Sequence, residues 1–188
     1  MANQSACARP SPLCLTVGLL VLLAVPMAQA APLLCYTMRY DIKTANLDGT
    51  GINTLISTTS DNLGEIQTHT ATGQIYWFEW RSIKRADYDG SNLETVLTDN
   101  NMYTTAGDFA LDQLNGHIYW ANQLGELRRA NLDGSNPQLL RTGLLSNGAI
   151  EVDPVNQKLF WLEYSASGTH IRMGNLDAAR DSIETCVN

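Results

Sequence analysis

Three near-copies of one short phrase constrain this chain more than any other feature: Ile75-Tyr76-Trp77, Ile118-Tyr119-Trp120 and Leu159-Phe160-Trp161. The tryptophans stand 43 and 41 residues apart. A second phrase follows each at a similar offset: Ile83-Lys84-Arg85-Ala86-Asp87-Tyr88-Asp89-Gly90, Leu127-Arg128-Arg129-Ala130-Asn131-Leu132-Asp133-Gly134, and Ile171-Arg172-Met173-Gly174-Asn175-Leu176-Asp177. A fourth copy, Ile42-Lys43-Thr44-Ala45-Asn46-Leu47-Asp48-Gly49, lies near the start. The aspartates Asp48, Asp89, Asp133 and Asp177 step by 41, 44 and 44 residues, within the period of roughly 40 to 45 at which propeller blades repeat. The chain reads as an array of one unit.

Within a unit the apolar pattern has period two, bounded by Gly, Asn and Asp, so each segment reads as a short strand ending in a tight turn. The best copy runs Asp108 to Asp112, Gly116 to Ala121, Glu126 to Leu132 and Gln138 to Thr142, a four-stranded meander. Glycine in Asn115-Gly116 and Asp133-Gly134 accepts the positive φ those turns need. Equivalent meanders are expected over residues 65–98 and 149–187. The first copy is clipped: Leu33 to Thr37 takes the aromatic strand's place, with Cys35-Tyr36 for the Tyr-Trp pair, and no innermost strand is expected before it. The fold class is all-β, a propeller-like array of about four four-stranded antiparallel blades with the first incomplete. A blade cannot bury either face alone, so Trp77, Trp120 and Trp161 are expected in the seams between blades. Trp80 falls outside the repeat and is expected to be exposed.

Residues 1–30 read as a signal peptide. An apolar run from Leu13 to Met27 follows a polar segment whose only charge is Arg9, and Ala28-Gln29-Ala30 has the form of a cleavage site before Ala31. The run is short for a membrane span. Residues 31–188 then form one domain, secreted to an extracellular or periplasmic space. The chain is acidic, with a formal net charge of −7, and lacks the basic footprint that nucleic acid binding requires. Cys35 and Cys186 remain after leader removal, and an exported chain with two thiols is expected to bridge them. That loop would constrain the unfolded chain by roughly 4 to 5 kcal/mol.

The aromatic-Trp phrase followed by an Ile/Leu-x-x-Ala-Asn-Leu-Asp-Gly-Ser-Asn strand and turn resembles the YWTD (class B) repeats of low-density lipoprotein receptors and nidogen. The likeness covers about residues 33 to 187 and is sharpest at Asn131 to Asn136. The Thr-Asp half of the signature reads Phe78-Glu79, Ala121-Asn122 and Leu162-Glu163 here. The resemblance implies a six-bladed propeller, whereas four blades are visible. A small four-bladed ring, an open arc, and arcs from several chains completing a larger ring all follow as alternatives.

Chemistry is scarce in the pattern. His69, His117 and His170 fall in different blades without metal-ligand spacing, and the Asp-Gly turns lack the ligand ladder of an EF-hand. No nucleophile elbow or phosphate loop occurs, and no cofactor or metal is expected. The reading is a non-catalytic protein-binding or scaffold module whose partner is a protein ligand, or a second copy met through the end blades. Loops on a rigid scaffold carry such function, which nominates Trp80, Arg81, Asn122, Gln123, Glu163 and Tyr164, with Tyr103 in the loop after Asn100. The alternative is a calcium-dependent hydrolase of the lactonase kind, using Glu65, Asn122 and Asp153.

Overall fold

The computed structural model describes residues 21–23, 33–102, 108–144, 147–166, 168–177 and 184–185. They form sixteen strands in four antiparallel sheets, each a simple meander in chain order. The first sheet holds β1 (Val21–Leu23), β2 (Leu33–Met38), β3 (Asp41–Asn46) and β4 (Asn53–Ser57). The second holds β5 (Leu63–His69), β6 (Gln74–Glu79), β7 (Ser82–Asp87) and β8 (Glu94–Thr98). The third holds β9 (Phe109–Asp112), β10 (His117–Ala121), β11 (Leu127–Asn131) and β12 (Gln138–Arg141). The fourth holds β13 (Asn147–Asp153), β14 (Lys158–Ser165), β15 (Gly168–Asn175) and β16 (Glu184–Thr185). Among the described residues no helix is long and apolar enough to cross a membrane.

Three of the sheets share an irregularity as well as an order of strands. In the first three, the pairing of the third and outermost strands slips at one place, between Ile42 and Lys43, Ile83 and Lys84, and Leu127 and Arg128. A bulge of this kind bends and twists the outer edge, so the repeat encodes curvature as well as strands. The aspartate turns recur as well. Asp48, Asp89 and Asp133 each accept the backbone N–H and the hydroxyl of the residue two places on, Thr50, Ser91 and Ser135. Those hydroxyl bonds hold the carboxylates below their ordinary range. The oxygens close turns within their own blade.

Blades bury their aromatics against one another. Cys35 and Ile42 meet Ile66, Ile75 and Trp77 in the first seam. Tyr76, Phe78 and Ile83 meet Phe109, Ile118 and Trp120 in the second. Tyr119 and Leu127 meet Ile150, Leu159 and Trp161 in the third. The three repeat tryptophans are no more than 2% exposed, and Trp80 is 54% exposed, as the repeat led us to expect. The turns also wedge under the preceding blade: a Cβ on Gly134, whose φ is +80°, would stand 1.9 Å from the Val96 carbonyl oxygen. Neighbouring sheets pack in sequence, β2 on β5, β5 on β9 and β9 on β13, and among the described residues no strand of the first sheet packs in this way on the fourth. The described blades form an open arc.

The first blade departs from expectation. It has an innermost strand after all: β1, from the apolar run read as leader, pairs Val21 with Cys35 and Leu23 with Leu33. The inner edge of β2 carries unpaired backbone groups that any adjacent extended segment can satisfy, and the run supplies one. Cys35 beside it is buried with a free thiol, its pKa pushed up to about 12 by burial. Its expected partner, Cys186, lies outside the described residues.

Candidate ligand face

The turn between the second and third strands of each blade lies at one end of the blade, so these turns line one rim of the arc. Its exposed apolar side chains are Met38 and Tyr40 in the first blade, Trp80 in the second, Leu124 in the third and Tyr164 in the fourth. Trp80 and Arg81 both hold positive φ, +44° and +60°, in a two-residue turn where Asn-Gly is the usual solution. Non-glycine residues in that region cost of order 1–3 kcal/mol each. Beside Trp80 lies an open depression of about 450 Å³, walled by the Thr59 to Asp61 loop and by Glu79, Ser82 and Lys84.

Beneath the rim a polar relay ties each tryptophan to its turn. The Trp77 indole Nε1 donates to Glu79 Oε2 at 3.1 Å, and Lys84 Nζ meets Glu79 Oε1 at 2.9 Å. Trp161 Nε1 donates to Glu163 Oε1 at 3.0 Å, and Arg172 Nε to Glu163 Oε2 at 3.0 Å. The third blade solves the same problem differently. Asn122 stands where Glu would, so the Trp120 indole reaches back 3.0 Å to Asp99 Oδ2 of the preceding blade. The Asn122 amide bridges Asp99 and Glu126, and Arg128 pairs with Glu126. Bonds from Asn122 and Arg128 hold Glu126 below the ordinary range. A buried indole N–H needs an acceptor, which is why the position two residues after each tryptophan carries a carboxylate or borrows one.

The nominated residues therefore separate. Trp80 and Tyr164 are open on the rim, and Arg81 is half-buried beside Trp80. Gln123 is exposed but tethered: its backbone N–H donates to Asn101 O at 2.8 Å, and its amide to Met102 O. Asn122 and Glu163 are buried in the relay, 0% and 7% exposed. Tyr103 lies outside the described residues. Glu65, Asn122 and Asp153, the imagined calcium set, do not converge. Asn122 is held at the rim, whereas Asp153 opposes Lys158, the far end of the ladder that begins with Asn147 opposite Glu163. There Asp153 caps its own turn through Asn156.

A different acidic set was missed. Glu65, Asp108 and Glu151 recur at intervals of 43 residues on or beside the innermost strands of three successive blades. Burial, with the nearby Asp108 and Glu151 charges, raises Glu65 to about 8. Burial raises Asp108 to about 7, with Glu151 adding to it, although Asp108 Oδ2 accepts the Ile150 N–H across the seam at 3.0 Å. Glu151 is exposed as a residue, yet partial burial of its carboxylate raises it too. Their identical repeat phase was the available signal. Among the described residues no group of three or more His, Cys, Asp or Glu is placed to hold a metal ion.

No family model matches the chain. Among curated proteins, it is 27% identical over 124 residues to low-density lipoprotein receptor-related protein 1 of Pyricularia oryzae, covering 61% of this chain and 39% of that one. It is 26% identical over 102 residues to the vitellogenin receptor Yl of Drosophila melanogaster, covering 52% of this chain and 5% of the receptor. The chain thus spans well under half the length of either relative. Among solved structures, a nidogen/laminin complex superposes with a TM-score of 0.70 at 21% identity, covering 82% of this chain and 61% of that one. TolB from Acinetobacter baumannii follows with 0.62 at 12% identity, covering 80% and 38%. Period, blade architecture and relatives agree: the fold is a propeller-like array of blades, and the chain is similar to the YWTD-type propellers of low-density lipoprotein receptors and nidogen.

Proposed function

We propose that this chain is a secreted, non-catalytic protein-binding module whose ligand docks on the rim that carries Trp80 and Tyr164. The observation that supports this most is the Trp80-Arg81 turn, where a large aromatic is kept open to solvent on a strained backbone. Strain of that kind persists where surrounding structure enforces it, and exposed aromatics beside charges are the material of binding hot spots. One relative is named a receptor and another a receptor-related protein, and one structural neighbour is a complex of two proteins. Arg81 and Gln123 flank the aromatics on this reading, while Asn122 and Glu163 shape the rim from beneath.

The test is capture of an extracellular protein by the immobilised chain. Trp80→Ala and Tyr164→Ala should each abolish it while shifting the thermal midpoint by less than about 2 °C, below what 1 kcal/mol does at this size. Capture that survives both changes overturns the reading, and an equal loss of stability reassigns both residues to the core.

Leader removal before Ala31 and the Cys35–Cys186 bridge belong to the same proposal. Cutting there removes β1, the strand paired with Cys35 along its inner edge, and leaves that edge for a segment carrying Cys186 to reach. Mass spectrometry of secreted, alkylated protein should find a chain beginning at Ala31 with both cysteines protected. Retention of residues 1–30, or alkylated Cys35, would remove this part.

A further inference from the structure

Every seam in the arc is built from the same two half-faces. The forward half comes from the aromatic strand and its neighbour: Tyr76 opposite Arg85 and Phe78 opposite Ile83 in the second blade, Tyr119 opposite Arg129 and Ala121 opposite Leu127 in the third. The backward half brings the next blade's tryptophan and the residue before its turn aspartate. Tyr88, Leu132 and Leu176 all pack into seams in this way. In the second seam the Tyr76 hydroxyl and the Arg85 guanidinium both donate to the Leu132 carbonyl.

The arc leaves one forward half and one backward half uncovered by any described sheet. The forward half belongs to the fourth blade, because Leu159 and Trp161 face the third and strand residues alternate. Here Phe160 opposes Met173 and Leu162 opposes Ile171. The Tyr-Arg pair of the second and third blades, Cys35-Thr44 in the first, has become Phe-Met, so the open face is more apolar than the covered ones. That is the reverse of the polar outer face that caps a repeat array. Ile171 is 37% exposed. The backward half belongs to the first blade. Its Leu47, the counterpart of Tyr88, Leu132 and Leu176, is 50% exposed where those three are packed, and its Tyr36 stands at the tryptophan position, opposite Lys43 as Trp77 is opposite Lys84.

We propose that this protein self-associates head to tail, the fourth sheet's outer face at Phe160, Leu162, Ile171 and Met173 receiving Tyr36 and Leu47 of a second copy's first sheet. The contact is heterologous, and it continues the interface the chain already makes three times. Two copies bring together eight blades, within the roughly four to eight that propeller rings use; where the rotation does not close, the same contact extends an open series. The proposal deepens the reading of a protein-binding module by naming one partner as this chain itself, and it leaves the Trp80 rim free for another.

The experiment is light-scattering mass measurement on the whole chain, alone and mixed. The unsubstituted chain should run at the mass of two copies or more. Phe160→Glu and Leu47→Glu should each be monomeric, because either one removes a half of the contact. Mixed in equal amounts they should double in mass, since the first retains its backward half and the second its forward half. A monomeric unsubstituted chain overturns the proposal. So does a Leu47→Glu chain that still dimerises, which would mean two fourth sheets pairing face to face, or a mixture that stays monomeric. Should Phe160→Glu lower the thermal midpoint, Ile171→Glu at the more open position replaces it. Partner capture by the two monomeric variants, with and without Trp80→Ala, tests the rim separately, so either idea can fall without the other.

Discussion

Trp77 and Trp80 stand three residues apart and have opposite fates. Trp77 is fully buried in the first seam with its indole bonded to Glu79, while Trp80 is mostly open on a strained turn. The seam is where the sequence is repetitive and the rim is where it varies. Blade stacking fixes residues by burial and indole satisfaction; the rim fixes only the backbone path and leaves side chains available. Changes at the seam should therefore be read in stability, and changes at the rim in binding.

The sharpest test of that division is Trp77→Ala, expected to lose about 3–5 kcal/mol as a buried aromatic truncated in a packed core and to leave Glu79 facing a void. Denaturant unfolding measures it, and a loss below about 1 kcal/mol would break the equivalence of tryptophan and seam. Next come two turn glycines of similar φ. Gly134, at +80°, has the Val96 carbonyl against it, whereas Gly116, at +74°, has nothing within 4 Å. Gly134→Ala should cost about 3 kcal/mol from strain and overlap together, and Gly116→Ala about 1 kcal/mol from φ alone. Equal losses would mean that the turn does not wedge between blades.

The inner strands give a pH-dependent version of the contrast. Glu65 titrates at about 8 in the folded chain against an ordinary 4.5, so between those values the folded state holds a proton that the unfolded state releases. Stability is full below about pH 4.5 and falls as pH rises through 8. Asp108, raised to about 7, acts in the same direction. After solvent screening the Glu65 share is about 2 kcal/mol. Glu65→Gln should flatten this decline when unfolding midpoints near pH 5 and pH 8 are compared, and an unchanged slope would show that the group is not buried as described.

How far the sequence could be read follows the same line. Strands, blade number and the buried tryptophans were legible because period-two alternation and a fixed repeat length are enforced by packing. Asn122 and Glu163 were not, since a polar residue in a turn looks alike whether it faces solvent or an indole N–H; only the requirement that Trp120 and Trp161 find acceptors gives them away. The acidic set escaped because metal motifs are sought at short spacing, and Glu65, Asp108 and Glu151 share only their phase in the repeat. β1 escaped because three apolar residues carry no period and lay inside a run that reads as leader.

The smallest effect probes the rim itself. Arg81 sits at φ +60° next to Trp80 at +44°, and glycine adopts that conformation freely. Arg81→Gly should therefore stabilise the chain by about 1 kcal/mol, offset in part by the added freedom of the unfolded state. The residue's half-buried side chain makes the sign informative. If the strain is carried for the ligand, the variant gains stability and loses capture together, the trade expected where a binding surface is kept at the expense of the fold. A variant that gains stability and captures as before would leave Trp80 as the anchor and make Arg81 a passive part of its turn.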